Sequence, residues 1–444
     1  MGDPPAQCSE PRRTGMKALV TASLILPASL IFGACSTHED ASSDPTQNDP
    51  GLAVAVSEEG SGVHVNAITE APTGFDGGSN GFATPGILFT DAQVAFEQVE
   101  GTDDGIGPVF NNFSCVSCHQ NPTSAVGAGS QITELRAGHF NGVSFVDHPG
   151  GSLINDRAND RSIQEHILSG NEVRTLRLTI SIMGDGFVES IDSNTLVAIS
   201  NNQPAAQRGT VISVPVGEAG GATRVGRFGW KNQNASLLSF AGDAYVNEMG
   251  ITNRLFPTEN TSNGTVVQGG PFDGKADPAG NAEDTEVDID KFTAFMRALK
   301  APPRGPITAS VTAGQASFTQ FGCAVCHVAT ITTAPAGTVI NAGQFTVPTA
   351  LGDKNIHPFG DFLLHDIGTG DGIVQNGGQG TRNQVRTAPL WGIGARTRFM
   401  HDGASVTVSD AIARHGGQAS TARTNFNNGG ATAQANVLAF IFSL

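Results

Sequence analysis

The sequence predicts a mainly α protein built from two similar halves. A Cys-x-x-Cys-His motif occurs at residues 115–119 and again at residues 323–327. A segment with apolar side chains at helical spacing leads into each copy, at residues 90–100 and 312–321. Because the same helix and motif recur in the same order, we expect two domains of the same kind.

Each half also closes on a second helical pattern. Residues 288–299 and 435–444 carry aromatic and aliphatic side chains at helical spacing, and both stretches end in Leu. The proline-rich run at 302–306 cannot continue a helix, so we place the domain boundary there. The prediction is an N-terminal domain over residues 85–301 and a C-terminal domain over residues 307–444.

The segment from residue 148 to residue 225 has a different pattern. It is rich in Gly and Asn and contains short β-branched runs at residues 178–182 and 210–216. We interpret these runs as small β-hairpins that form an insertion in the first domain. A chain of 444 residues with 56 glycines and 15% charged residues has room for these loops beside two cores.

The repeated motif is typical of covalent haem attachment, in which two thiols bind one porphyrin and the following imidazole binds its iron. The residues expected to hold two haems are Cys115, Cys118 and His119 in the first motif and Cys323, Cys326 and His327 in the second. Zinc binding and dithiol redox chemistry are the alternatives, but neither needs the histidine. The predicted fold is therefore mainly α: two cytochrome-c-like domains, with a β-hairpin-rich insertion in the first.

The N-terminus predicts an exported lipoprotein. Residues 18–34 form an uncharged run that is short for a membrane span and typical of a secretion signal. The small residues before Cys35 resemble a bacterial lipoprotein signal, in which this cysteine is lipidated. We therefore assign residues 1–35 to upstream sequence and signal peptide, and the polar residues 36–84 to a flexible tether. The expected location is the periplasmic face of a bacterial cell envelope, where haem attachment takes place.

The overall charge limits the partners. A formal net charge of −16 disfavours nucleic acid and anionic membrane surfaces, so membrane contact is expected through the lipid anchor alone. The charge is compatible with a basic electron carrier. We expect a small redox protein or a quinol-linked donor as the source of electrons.

Three further segments resemble the bacterial di-haem cytochrome c peroxidase and MauG superfamily. They span residues 226–253, 361–368 and 386–417. Within the superfamily they are more similar to the di-haem oxidoreductase family, which is also labelled a thiol oxidoreductase family. With the two haem motifs, the resemblance covers roughly residues 85–444.

The resemblance implies roles for residues outside the motifs. Trp230 matches an aromatic residue between the haems, and Glu248 matches a distal acid that moves the peroxide proton; these two are the implied catalytic residues. His415 matches the second axial ligand of the C-terminal haem, which would then be a His327/His415 low-spin centre. Thr387-x-Pro389 resembles part of a calcium site, so Ca²⁺ is an optional further cofactor.

The implied function is a peroxidase-like oxidoreductase. It reduces H₂O₂ or a related small oxidant at the N-terminal haem, with electrons relayed by the C-terminal haem. A di-haem electron-transfer protein without turnover and a MauG-like enzyme that oxidises its substrate at long range stay open as alternatives. The sixth ligand of the N-terminal haem also stays open: it is His139, His148 or Met249, or the position is empty. A permanently filled position indicates an electron carrier, and an open position indicates an enzyme.

Overall fold

The computed structural model describes residues 63–120, 132–267 and 283–444. Helices, including short 3₁₀ turns, account for 33% of these residues, and strands together with isolated β-bridges account for 16%. The predicted mainly α class is therefore wrong, because the fold mixes helices with several small sheets. Short extended segments in the glycine-rich loops pair with one another, and the helical periodicity of the sequence does not predict this pairing.

The described residues contain nine α-helices. They are α1 (Phe89–Glu97), α2 (Asp185–Glu189), α3 (Ser193–Asn202), α4 (Leu237–Met249), α5 (Asp288–Ala298), α6 (Ala309–Gln320), α7 (Val408–Arg414), α8 (Ser420–Asn428) and α9 (Gly430–Phe442). The helices predicted before the two motifs are confirmed as α1 and α6, and the two closing helices as α5 and α9. The pairs α1–α5 and α6–α9 pack against each other.

Side-chain caps and one glycine fix the limits of α4. The hydroxyl of Ser236 accepts the backbone N–H of Ser239, which satisfies a donor at the start of the helix. The helix ends at Gly250, whose φ of 76° favours glycine. A Cβ atom at this position would lie 2.2 Å from the carbonyl oxygen of Gly107, so the chain passes close to the loop that precedes the first motif.

The described residues also contain fifteen short strands in six small sheets. They are β1 (Thr69–Glu70), β2 (Val109–Phe110), β3 (Thr133–Phe140), β4 (Phe145–Asp147), β5 (Leu153–Ile154), β6 (Arg157–Ala158), β7 (Val173–Leu178), β8 (Ser213–Pro215), β9 (Thr223–Val225), β10 (Ile331–Thr332), β11 (Val339–Ile340), β12 (Phe345–Thr346), β13 (Lys354–Ile356), β14 (Leu364–His365) and β15 (Val385–Arg386). The largest sheet has β3 at its centre, antiparallel to β4, β5 and β7.

The segment predicted to form a β-rich insertion contains both strands and helices. The run at residues 210–216 contributes β8, which forms a hairpin with β9. The run at residues 178–182 lies at the end of β7, which pairs with β3 instead of forming a local hairpin. Helices α2 and α3 occupy the stretch between these two runs, and the sequence pattern did not predict them.

Aromatic clusters fill two cores. Around α1, α4 and α5, the ring centroids of Phe96 and Phe295 lie 4.9 Å apart and those of Tyr245 and Phe292 lie 5.1 Å apart. Between α6 and α9, the ring of Phe318 lies 5.2 Å from that of Phe440. Such pairs stabilise a fold by about 0.5–1.5 kcal/mol each beyond their buried area. The duplicated helix pair thus recurs as two similar packing units.

The first described residues pack against the C-terminal half. Thr69–Glu70, within the predicted tether, pair in parallel with β13. The larger core also combines Ala71 and Phe96 with Trp391. The domain limits stay a prediction, and Cys35 with the predicted signal peptide lies outside the described residues. No helix in the described ranges has both the length and the apolar character needed to cross a bilayer.

Candidate functional site

The first motif lies on the wall of a large cavity. Cys115, Cys118 and His119 line a space of about 1440 Å³. The hydroxyl of Ser114 accepts the N–H of Ser117 at 3.3 Å, and the N–H of His119 donates to the carbonyl oxygen of Cys115 at 3.0 Å. This tight turn presents both thiols and the imidazole to one cavity.

The second motif lines a separate cavity with a histidine from another helix. The turn that carries Cys323 and Cys326 follows directly on α6, and both thiols face this cavity together with the imidazole of His327. His415, immediately after α7, lies on the wall of the same cavity. The structure therefore brings together the four residues that the sequence assigns to the C-terminal haem.

Backbone carbonyls fix the tautomer of both histidines in the second cavity. Nδ1 of His327 lies 3.0 Å from the carbonyl oxygen of Phe359, and Nδ1 of His415 lies 2.7 Å from that of Ala411. Because a carbonyl only accepts, each Nδ1 carries the proton. The Nε2 atom of each neutral ring then keeps its lone pair, which is the arrangement that metal-binding histidines use.

Burial favours the neutral form of the two motif imidazoles and the protonated form of Cys115, Cys118 and Cys323. It lowers the pKa of His119 and of His327 to about 4. It raises the pKa of Cys118 to about 12 and that of Cys323 to about 11, and it also raises the pKa of Cys115. Dithiol redox chemistry and zinc binding both use thiolates. The two thiol pairs lie on two separate cavities and so do not form one four-thiol zinc site, and each pair fits a haem together with its neutral imidazole.

Trp230 lies on a wall that the two cavities share. Trp230, Leu178 and Arg386 line both cavities. The indole N–H of Trp230 donates to the carbonyl oxygen of Leu178 at 2.7 Å, and Nε of Arg386 donates to the carbonyl oxygen of Gly229 at 2.7 Å. The aromatic residue that the resemblance places between the haems is thus held between the two candidate haem cavities.

A buried charge cluster adjoins this wall through the chain neighbours of Leu178 and Trp230. Nη2 of Arg177 lies 2.7 Å from Asp371 Oδ2, and Nζ of Lys231 lies 3.2 Å from Asp371 Oδ1. The Lys231 ammonium also donates to three backbone carbonyls. The three side chains are at most 2% exposed. Burial opposes ionisation of Asp371, but the two cations outweigh it and lower its pKa.

Glu248 faces the large cavity near the end of α4. Its Oε2 atom accepts a hydrogen bond of 2.6 Å from the side-chain amide of Asn111. Its backbone carbonyl accepts the N–H groups of Asn111 at 2.7 Å and Asn112 at 3.3 Å. Burial, together with the nearby charge of Glu134, raises the pKa of Glu248 well above its ordinary value, so its carboxyl group favours the protonated form.

Glu134 and Arg136 are site residues that the sequence analysis missed. Both line the large cavity, and Nε of Arg136 donates to Oε1 of Glu134 at 2.5 Å. Glu134 and Glu248 line the same cavity. Burial opposes ionisation of Glu134, but the Arg136 guanidinium outweighs it and holds the pKa of Glu134 well below its ordinary value. The available signal was a Glu-x-Arg pattern in an extended segment, which places both side chains on one face of a strand.

The structure separates the three candidates for the sixth ligand of the N-terminal haem. The side chain of His139 is 46% exposed and lies 2.7 Å from Glu172. Nε2 of His148 accepts the backbone N–H of Leu168 at 3.1 Å. Neither histidine is among the residues that line the large cavity, whereas Met249 is. The identity of this ligand stays open.

Within residues 63–120, 132–267 and 283–444, no cluster of carboxylates marks the predicted calcium site. Thr387 and Pro389 line the second cavity. Among the described residues, one group of three acidic, His or Cys side chains has ligand atoms within 4.8 Å of one another: Cys326, Asp361 and His365. The carboxylate of Asp361 already accepts hydrogen bonds from His365 and from two other groups. Its oxygens are therefore engaged, and calcium stays a prediction.

Two haem motifs on two cavities that share an aromatic wall define a two-haem redox protein. A family model described as "Di-haem oxidoreductase, putative peroxidase" matches residues 128–444, and the chain belongs to this family. The resemblance seen in the sequence is confirmed. The protein is therefore an oxidoreductase of a peroxidase-like family, with haem as its cofactor.

Three solved structures are similar to this chain at low sequence identity. Hydrazine synthase from Kuenenia stuttgartiensis is 15% identical over 94% of this chain and 100% of its own, with a TM-score of 0.36. A MauG-like protein associated with microbial copper homeostasis is 16% identical over 85% and 93%, with a TM-score of 0.36. A variant of the diheme peroxidase BthA from Burkholderia thailandensis is 15% identical over 50% and 65%, with a TM-score of 0.27. The curated protein sequences gave no match.

Proposed function

We propose that this protein is an exported di-haem c-type oxidoreductase that reduces H₂O₂ or a related small oxidant in its large cavity. The observation that carries the proposal is the position of Glu248, whose carboxyl group faces the same cavity as the His119 imidazole. Trp230 then connects this cavity with the second one, which holds His327 and His415.

The haems are assigned to named residues by the donor atoms that face each cavity. When bound, haem supplies one-electron redox chemistry and an iron centre at which a small oxidant binds. The thiols of the two motifs hold the porphyrins, and His119 and His327 provide the proximal imidazoles. The Nδ1 hydrogen bonds of His327 and His415 orient both rings with Nε2 free, which supports a bis-histidine centre in the second cavity.

Glu248 is the proposed proton carrier. Reduction of H₂O₂ to two water molecules consumes two electrons and two protons, and it also requires a proton to move from one peroxide oxygen to the other. General acid–base catalysis by a positioned carboxyl group accelerates such a step by about 10²–10⁴-fold. The side-chain amide of Asn111 orients the Glu248 carboxyl group through a hydrogen bond of 2.6 Å.

Trp230 and the second cavity provide the proposed electron relay. An indole on the shared wall shortens the path between two haems because it replaces a gap with a polarisable ring. His327 and His415 would both hold the haem of the second cavity, and such a haem would supply electron transfer without binding the oxidant. The large cavity is therefore the site of chemistry, and the second cavity supplies electrons to it.

Electron paramagnetic resonance of the ferric, fully haem-loaded protein tests the function. We expect one high-spin and one low-spin haem, and a change in the visible spectrum when peroxide is added. Two low-spin haems that do not react with peroxide, even after one-electron reduction, would contradict the proposal and would indicate a di-haem electron-transfer protein. Glu248→Gln is expected to abolish the reaction while both haems stay bound.

Covalent attachment, export and the electron donor are parts of the same proposal. Mass spectrometry of peptides from each motif is expected to show one added porphyrin per motif when the protein matures in a host that assembles c-type cytochromes. Labelling with a fatty acid tests the lipid anchor, and Cys35→Ser is expected to prevent it. Reduction by a basic small redox protein is expected to weaken as salt is added, because the chain is acidic.

A further inference from the structure

The side-chain ammonium of Lys231 is enclosed by oxygen atoms. Its Nζ atom lies 2.9 Å from the carbonyl oxygen of Thr381, 3.1 Å from that of Arg382 and 2.5 Å from that of Gln384. Oδ1 of Asp371 lies 3.2 Å from the same nitrogen, and both side chains of this ion pair are fully buried. All four partners accept hydrogen bonds and none donates one, so together they form a cage that suits a cation.

The oxygen atoms of the cage belong to one glycine-rich loop, from Asp371 to Gln384. A Cβ atom at Gly370 would lie 2.2 Å from the carbonyl oxygen of Asn383, so the two ends of the loop touch and the loop closes on itself. Backbone carbonyl and carboxylate oxygens are also the ligands that calcium ions use in proteins. The loop therefore offers ligands of the kind that bind a metal ion, but a lysine from another part of the chain fills it.

The cage connects the two chain segments that hold the indole ring. Lys231 is the chain neighbour of Trp230, and Arg177 is the chain neighbour of Leu178. Both cations pair with Asp371, at 3.2 Å for Lys231 and 2.7 Å for Arg177. The indole N–H of Trp230 donates to the carbonyl oxygen of Leu178 at 2.7 Å. The hydrogen bond that fixes the ring therefore depends on two segments that meet at this loop.

The charges at this junction do not balance without the carbonyl groups. Asp371 supplies one negative charge, whereas Arg177 and Lys231 supply two positive charges. The three carbonyl dipoles that point at Lys231 offset the second positive charge. A neutral side chain at position 231 would remove one donor from all three carbonyl groups at once and leave them buried, which opposes closure of the loop.

We propose that Lys231 supplies, as part of the chain, the cation that holds this junction together, and that it is the positioning residue of Trp230. A loop of carbonyl and carboxylate oxygens can also be closed by a bound metal ion. The ammonium of Lys231 takes the place of such an ion in this loop. The role of Trp230 as an electron relay rests on the proposed function, whereas the position of its ring does not.

Ultraviolet resonance Raman spectroscopy of the haem-loaded protein reports the hydrogen bond of the indole N–H. The background is Trp391→Phe, in which Trp230 is the only tryptophan. Lys231→Met replaces the ammonium by a neutral side chain of similar length, and the indole band is expected to shift to that of an unbonded N–H. Lys291→Met is the matched control, because its ammonium pairs with Asp288 at 2.8 Å in a partly exposed position, and it is expected to leave the band unchanged.

Chemical rescue of Lys231→Ala tests the charge itself. The n-propylammonium ion contains the carbon and nitrogen atoms that this substitution removes, and 1-propanol has a similar size without the charge. Added n-propylammonium is expected to restore the indole band in a saturable manner, and 1-propanol is expected to have no effect. If Lys231→Ala folds only with a guest molecule, the yield of folded, haem-loaded protein shows the same contrast. The wild type is expected to keep its band in EDTA.

The outcomes separate this inference from the proposed function. An unchanged band in Lys231→Met would overturn it, as would rescue of Lys231→Ala by 1-propanol as well or by neither guest. Loss of the wild-type band in EDTA would assign the junction to a metal ion instead. None of these readouts involves peroxide, so the proposed function can fail while the role of Lys231 stands. If the band is unchanged in Lys231→Met and this variant still reduces peroxide, the role of Lys231 is refuted and the proposed function stands.

Discussion

The indole N–H of Trp230 donates a 2.7 Å hydrogen bond to the carbonyl oxygen of Leu178, on the wall that both cavities share. The chain neighbours of these residues, Lys231 and Arg177, both form ion pairs with the buried Asp371. The ring is therefore fixed at its edge by a hydrogen bond, and the two chain segments that form this bond are tied together through Asp371.

Trp230→Phe is expected to slow electron transfer between the haems, because the smaller ring no longer fills the shared wall. The carbonyl of Leu178 also loses its donor, so the free energy of unfolding is expected to fall by about 1–3 kcal/mol. Stopped-flow spectroscopy after peroxide addition measures the transfer. The control is Trp391→Phe, which removes the other tryptophan, a buried residue that lines neither cavity. Equal transfer rates in both variants would contradict the relay.

Asp371→Asn is expected to destabilise the fold strongly, because it leaves the buried charges of Arg177 and Lys231 without a counter-ion. Breaking a buried ion pair in this way costs about 3–5 kcal/mol. Urea unfolding of the haem-loaded protein measures the loss. The matched control is Asp290→Asn, which breaks a partly exposed pair with Arg254 and is expected to cost less than about 1 kcal/mol. Similar losses in the two variants would argue against the cluster as a support of the wall.

His415→Met tests the second axial ligand. A thioether in place of an imidazole raises the reduction potential of a haem, and axial ligands as a class span about 0.8 V. We expect the potential of one haem to rise by roughly 0.1 V or more and its bis-histidine signal to vanish. His401→Gln changes another histidine on the same cavity wall and is expected to leave the potential in place. A shift in the second variant alone would reassign the ligand to His401.

Glu100 gives the fold a pH dependence. Burial raises its pKa to about 7 from an ordinary value of 4.5. The folded state then binds the proton more tightly than the unfolded chain, so the free energy of unfolding falls as pH rises from about 4.5 to 7. Glu100→Gln is expected to match the wild type at pH 4 and to be about 2–3 kcal/mol more stable at pH 8. Urea unfolding at both pH values measures this difference.

The control for this pH dependence is Glu286→Gln, because the side chain of Glu286 is 72% exposed. Its stability is expected to follow that of the wild type at both pH values. If Glu100→Gln also follows the wild type, another group is responsible for any pH dependence that the wild type shows.

The sequence was sufficient to predict the duplicated helices of the fold and to single out the residues of the two motifs. Helices α1 and α6 carry apolar residues at helical spacing directly before each motif, so their pattern and position could be read locally. The turn at Cys115 is likewise short and self-contained, with Ser114 as its cap. In each of these cases the relevant interactions lie within about a dozen residues of the chain.

The parts that the sequence did not predict depend on long-range pairing. Strand β3 acquires its partners β4, β5 and β7 from different loops, and β13 pairs with β1 from the far end of the described chain. Glu134 is similar, because its role in the site depends on the proximity of Glu248, which lies 114 residues later in the chain. From the periodicity of the sequence, Glu134 is only one charged residue in an extended segment. The mainly α prediction failed for the same reason.

The carbonyl of Glu248 accepts two N–H groups from the loop just before the first motif. Glu248 and the loop before the first motif are therefore held together by main-chain hydrogen bonds, which do not depend on the identity of the loop side chains. Under the proposed function, a chain whose loop before the first motif is misplaced therefore also has a misplaced proton carrier.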